Sequence, residues 1–166
     1  MTREQHPGIV HSLLAPDEPG PYRVLNPLAE QPILLVCDHA SCRFPKALGD
    51  MGLDPFARRC HLAIDIGAGA LTEALAGSLG VTAVLHNYSR LVIDCNRQLM
   101  DPSAFLEYGD GILVPGNRNL HKDEKDLRAS ALYWPCLLNT SPSPRDQLQH
   151  LVCRLMLEKW GGGGGG

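Results

Sequence analysis

Apolar residues along this chain fall into short runs separated by proline, glycine and polar clusters. The run Ile33-Leu34-Leu35-Val36-Cys37 follows Pro32 and stops at Asp38-His39, which predicts a buried strand ending in a polar loop. Residues 81–86 and 91–95 gather β-branched and apolar side chains between Gly80 and Asn96-Arg97, and they predict two further strands joined tightly through Tyr88-Ser89. Asp54-Pro55 has the form of an N-cap followed by proline at the first helical position, so a helix is expected through Phe56, Arg59, Cys60 and Ala63. A second helix is expected at about 68–79. Residues 101–116, rich in Gly, Pro and polar side chains, read as a long loop, after which Asn119 could cap a charged helix reaching about Trp134. Strands alternating with helices imply an α/β layered domain.

The two ends of the chain look different. Residues 1–31 carry five prolines and no sustained period, which suggests an extended arm with local packing around 24–28. Residues 136–166 do not continue the preceding helical pattern and end in six glycines. This segment closely resembles a translated sequencing-library adapter followed by a poly-G read, so it is expected to be non-native and disordered and is left out of fold reasoning. The organised part is then 32–135.

Composition narrows the class. With 166 residues and 44% hydrophobic content, one ordinary domain with a proper core is expected. A net charge of −3 gives no electrostatic reason to propose nucleic acid or an anionic membrane as partner, which leaves a small molecule. The polar, proline-punctuated start has no signal-peptide form and no stretch is long enough to span a membrane, so a soluble cytoplasmic protein is expected. Six cysteines without CxxC spacing point to reduced thiols, with Cys37 and Cys95 packed as small hydrophobes.

Three clusters carry chemistry, each where α/β enzymes place their sites, at strand ends. His39, just past a buried strand, could offer a neutral imidazole nitrogen to zinc, with Asp38 beside it to orient the ring; a structural histidine is the plainer alternative. His61 and Asp65, four apart, would share one face of a continuing helix and could reach one ion or one substrate, or form a surface pair. Gly67-Ala68-Gly69 hints at a phosphate-cradling loop. That fingerprint is incomplete, and Asn87 stands where an acidic ribose ligand would be expected. In the third cluster Arg90 and Arg97 flank a predicted strand with Asn96 beside the second. Guanidinium forks suit a carboxylate or a developing oxyanion, although Arg90 and Asp94 could simply form an ion pair.

Taken in order, the motifs DHAS-x-R-x-P, AL-x-D-x-GL, H-x-A-x-DIGA, NYSRLVIDCNR and VPGN make residues 32–135 resemble the N-formylglutamate amidohydrolase family, itself similar in fold to zinc carboxypeptidases and aspartoacylases. The resemblance implies a three-layer α/β/α domain with a mixed, mostly parallel sheet of the phosphorylase/hydrolase kind, here truncated. It implies zinc as cofactor and an acyl amino acid such as N-formylglutamate as substrate. It casts His39 as the first zinc ligand, Arg90 as oxyanion stabiliser, and Asn96 and Arg97 as holders of a substrate carboxylate, with Ser41 assigned to substrate binding. Cys42 stands where carboxypeptidases have a ligating glutamate, so Asp65 would have to complete the set; Asp38, His61 and Asp94 are expected in supporting roles. The family's later histidine and acidic residue would follow Pro135, so the chain is expected to bind zinc poorly and turn over little. Two alternatives remain at this stage: a non-catalytic binding or interaction module of the same fold, and a nucleotide-binding domain using Gly67–Gly69, which would require those glycines directly after a strand.

Overall fold

The computed structural model describes residues 12–140 and 151–154. Its main sheet has the order β1-β3-β2-β6, from β1 (Tyr22–Leu25), β2 (Ile33–Cys37), β3 (Thr82–His86) and β6 (Leu151–Arg154). β1 runs antiparallel to β3, while β2 is parallel to both β3 and β6, so the sheet is mixed. A helix, α1 (Ala68–Leu79), makes the crossover from β2 to β3, as parallel neighbours require.

The contact of α1 with the sheet follows from small side chains. Ala68, Gly69, Thr72 and Ala76 are its buried positions, and Ala68 and Ala76 pack with Leu35, Cys37, Ala83 and Leu85 of β2 and β3. Gly69 has a specific reason to lack a side chain: a Cβ there would lie 3.0 Å from the Ala40 carbonyl oxygen, next to His39. α1 and β3 lie where the hydrophobic pattern predicted them, and β2 matches its run residue for residue.

Two predicted elements are absent. Asp54 does cap, its Oδ1 accepting from the backbone of Phe56 and Ala57 at 2.8 Å each, but it opens only a short 3-10 turn, Ala57–Arg59. Cys60 then adopts an extended conformation (ψ 173°) and residues 60–67 form turns. His61 and Asp65 therefore share no helix face. The nucleotide-loop alternative fails on the same segment, because Gly67-Ala68-Gly69 follows turns and not a strand.

Residues 91–95 are the second correction. Leu91, Val92, Ile93, Asp94 and Cys95 are all buried, yet they form turns and irregular backbone, not a strand. Their polar backbone groups are paired by other means, as burial demands. The Ser89 hydroxyl donates to Ala63 O and accepts from Leu91 N, and Asp94 N donates to Ala104 O. Asn117 Nδ2 donates to Leu91 O and to Leu106 O, while the buried Arg128 guanidinium donates to Val92 O, Gly116 O and Asn117 Oδ1. Burial pulls the Arg128 pKa down to about 10, which leaves it charged at neutral pH. The apolar burial is as expected here, but among the described residues no neighbouring strand supplies a ladder.

The 101–116 segment contains more structure than a loop. β4 (Tyr108–Gly109) and β5 (Ile112–Leu113) pair around Asp110-Gly111, both at positive φ (46° and 81°), the conformation that an Asp-Gly hairpin turn favours. The following helix is capped by His121 with Glu124 in a capping box, not by Asn119. It runs as α2 (Lys122–Arg128), a π-helical turn (Ala129–Tyr133) and α3 (Trp134–Thr140). Pro135 has no N–H and crowds the carbonyl four residues back, Ala131, which lies within the wider π turn.

The two ends add further elements. The arm 1–31 supplies the edge strand β1 and a core residue, Leu13, at 1% exposure; residues 1–11 lie outside the described residues. Within 136–166, residues 136–140 continue a helix with Cys136 buried, and 151–154 pair with the open edge of β2, where backbone groups would otherwise lack partners. The remainder of that segment lies outside the described residues. Among the described residues no helix is long and apolar enough to cross a membrane.

Asn117 is expected to be indispensable to the buried turn. Asn117→Ala removes the donor to two carbonyls and an acceptor of Arg128, and should destabilise the chain by about 3 kcal/mol. Urea unfolding of both proteins measures this; an unchanged midpoint at equal m-value would refute the assignment.

Candidate active site

The loop after β2, the turn before α1 and the buried turn after β3 meet at one cavity of about 690 Å³. His39, Asp65, Arg90, Asp94, Asn96 and Arg97 all line it. Four of these form a closed ring of contacts. His39 Nδ1 lies 3.0 Å from Asp65 Oδ2 and its Nε2 lies 2.8 Å from Asp94 Oδ1. On the far side, Arg90 donates through Nε and Nη2 to Asp94 Oδ2 at 3.1 and 2.7 Å, and its Nη1 is 3.5 Å from Asp65 Oδ1. The ion pair of Arg90 with Asp94, left open by the sequence, is therefore real, and Arg90 faces the cavity as well.

Asp94 is the hub. It is 3% exposed, and its Oδ1 also accepts from the Asn96 amide at 2.9 Å. Burial would raise its pKa, but the hydrogen bond and charge of His39, the Arg90 guanidinium and the Asn96 amide outweigh burial and hold it below the usual carboxylate range. Burial likewise pulls His39 toward the neutral form, helped by Arg90, yet the bond and charge of Asp94, with Asp65 behind, hold His39 above its ordinary value. The ring with protonated His39 carries two positive and two negative charges.

Other predicted residues lie apart. Asp38 is buried but does not line the cavity, and the partners at both ring nitrogens of His39 are Asp65 and Asp94. Ser41 lines a second cavity with Arg43, Arg58 and Arg59, and its hydroxyl accepts from the Arg43 amide at 3.1 Å. His61 stands at the mouth of the first cavity paired with Asp110 of the β4–β5 turn, Nε2 to Oδ2 2.6 Å. Sequence reasoning missed Asp110, although the Asp-Gly hairpin signature was available.

His39 and Asp65 pass part of a test for zinc. Their facing atoms are 3.0 Å apart, close to the roughly 3.3 Å edge of a tetrahedral set with ligands at about 2.0 Å. Asp94 on the opposite ring nitrogen is the carboxylate that usually orients a ligating histidine. A third donor is missing: among the described residues the one triplet of His, Cys or acidic donors within 4.8 Å of one another is His86, Cys95 and Cys136. That triplet is a buried hydrogen-bonded cluster in which His86 Nδ1 donates to Tyr88 O and Cys95 Sγ lies 3.6 Å from His86 Nε2. Its atoms already bond within the core, and no function is assigned to the triplet.

The profile of the N-formylglutamate amidohydrolase family matches residues 31–136. The chain belongs to that family. A gene product of Agrobacterium tumefaciens, solved by crystallography, is 34% identical with a TM-score of 0.81 over 86% of this chain and 58% of its own. The crystal structure of N-formylglutamate amidohydrolase from Ralstonia eutropha shares the fold, with 22% identity and a TM-score of 0.57 over 72% of this chain and 49% of its own. The present chain thus spans about half the length of these solved relatives. Among curated proteins none matches. The matched stretch reaches from β2 to the start of α3 and contains His39, Asp65 and the Arg90–Arg97 turn.

His86 supplies a pH test. Burial first, and the nearby His39 charge, lower its pKa to about 4 despite the hydrogen bond to Tyr88 O. A folded-state pKa below the ordinary 6.5 means that the unfolded chain takes up a proton first as pH falls, so stability is full above about 6.5 and is lost toward 4. The loss should reach roughly 3 kcal/mol. Between pH 7 and pH 4.5 the unfolding free energy should fall less for His86→Gln than for the natural sequence; parallel profiles would contradict a neutral buried His86.

Proposed function

We propose that this chain carries the substrate-holding and electrostatic part of a zinc-dependent N-acyl amidohydrolase, acting on an acyl amide of an acidic amino acid such as N-formylglutamate. The observation that supports it most is the single cavity in which the His39–Asp65–Asp94–Arg90 ring sits beside Asn96 and Arg97. The proposed setting is a three-layer α/β/α domain in the cytoplasm.

Each residue has work suited to its geometry. Arg97 is exposed, and among the described residues no carboxylate lies within 4.0 Å of its guanidinium, so its fork is open to a substrate carboxylate. Its backbone is anchored by Arg97 N to Asp94 O at 3.1 Å and by Tyr133 OH to Arg97 O at 3.0 Å. Asn96 stands next to it on the same turn and orients the bound substrate. Arg90 keeps Nε and Nη2 on Asp94 while Nη1, in long contact with Asp65 among the described residues, is placed to stabilise an oxyanion on the amide carbonyl. Asp94 holds both His39 and Arg90, so their relative positions are set before substrate arrives. A zinc ion held by His39 and Asp65, with a further donor that the described residues do not provide, would supply Lewis acidity at that carbonyl. A non-catalytic binding module is the second reading; it is favoured by the occupation of both ring nitrogens of His39.

Calorimetry with N-formylglutamate separates these statements. The chain should bind it, and Arg97→Gln should weaken binding roughly tenfold or more, the cost of a lost charged hydrogen-bond pair. No measurable turnover is expected from the 166-residue chain, because two donors do not make a catalytic zinc site. Absence of binding, or binding indifferent to Arg97, would defeat the substrate assignment. Turnover abolished by a chelator would overturn the expected inactivity and exclude the non-catalytic reading.

A further inference from the structure

We infer that the second cavity, on the other side of the loop that carries His39, is a binding site for a small oxyanion of the phosphate or carboxylate class. This cavity holds about 400 Å³ and is lined by Arg43, Arg58 and Arg59 together with Ser41 and Gly49, with no acidic residue in its wall. Among the described residues none of the three guanidinium groups has a carboxylate within 4.0 Å, although the chain as a whole is net negative. Asp54, next to the lining residue Pro55, accepts from the amides of Phe56 and Ala57, and Glu18 accepts from those of Ala15 and Lys46.

Within this cluster the Arg58 Nε is buried and has no hydrogen-bond partner among the described residues, a condition that a buried donor does not keep without cost. Three guanidinium forks around one cavity can share the several acceptor oxygens of a phosphate, or two of them those of a carboxylate. The site differs from the first cavity in its residues and in its electrostatics: Arg90 is there tied to two carboxylates, whereas Arg43, Arg58 and Arg59 meet none. The short loop 39–45 joins the two, with His39 facing one cavity and residues 41–44 facing the other.

Titration of the chain with inorganic phosphate, followed by calorimetry and by thermal unfolding at constant ionic strength set with chloride, tests the proposal. Phosphate should bind with one site and raise Tm, and Arg59→Gln, an exposed change that the fold tolerates, should weaken binding about tenfold. Arg58→Gln should do the same, while Arg97→Gln in the first cavity should leave phosphate binding unchanged. Acetate or succinate in place of phosphate distinguishes a carboxylate site from a phosphate site, and either result supports an oxyanion. No phosphate or carboxylate binding, or binding lost in Arg97→Gln and kept in Arg58→Gln and Arg59→Gln, would overturn it. An acidic peptide binding here to the exclusion of both small anions would also overturn it in favour of a protein partner. None of these outcomes depends on N-formylglutamate binding, so the two readings fail separately.

Discussion

A buried backbone group must find a partner, and the stretch 88–97 meets that demand without belonging to a sheet. Five consecutive side chains, Leu91 to Cys95, are buried in irregular backbone. Within it the Ser89 hydroxyl accepts from Leu91 N, while Asn117 and Arg128 donate to the carbonyls of Leu91 and Val92. Because the turn is irregular, Asp94, Asn96 and Arg97 leave it in directions that a regular strand would alternate between two faces, and all three line one cavity. The cost of a non-strand core segment and the geometry of the site are the same feature.

Asp94 turns that geometry into electrostatics. A carboxylate with 3% exposure is tolerable because His39, Arg90 and the Asn96 amide all donate to it. Those same contacts fix the imidazole and the guanidinium relative to one another, and Asp65 closes the ring on the other side. The first cavity is thus preorganised by paired charges. Among the described residues the guanidinium groups of the second cavity meet no carboxylate, and this contrast separates the two cavities in electrostatics.

Local signals were strong wherever one element stabilises itself. β2 was visible as an apolar run between Pro32 and Asp38, and α1 as a glycine-bounded stretch from 68 to 79. The 54–65 helix failed although its cap formed, because nothing local showed that Cys60 would turn extended and send His61 and Asp65 to different partners. The 91–95 strand failed because a buried strand and a buried turn have the same apolar composition and differ only in what their carbonyls meet. Of the candidate residues, His39, Asp65, Arg90, Asp94, Asn96 and Arg97 come together and His61 reaches the mouth, whereas Asp38 and Ser41 point elsewhere.

By itself the sequence determined the family, through ordered motifs whose spacing survives any local misreading, and with it the set of charged and amide side chains available for chemistry. It also determined the short-range elements, since propensity, capping and apolar period act over a few residues. Only the tertiary structure decided which carboxylate meets which cation. Asp65 and Asp94 reach His39 from 26 and 55 residues away, and Asn117 reaches Leu91 across 26, and separations of that size are set by how packed elements close on one another. No local pattern in the chain encodes such a closure.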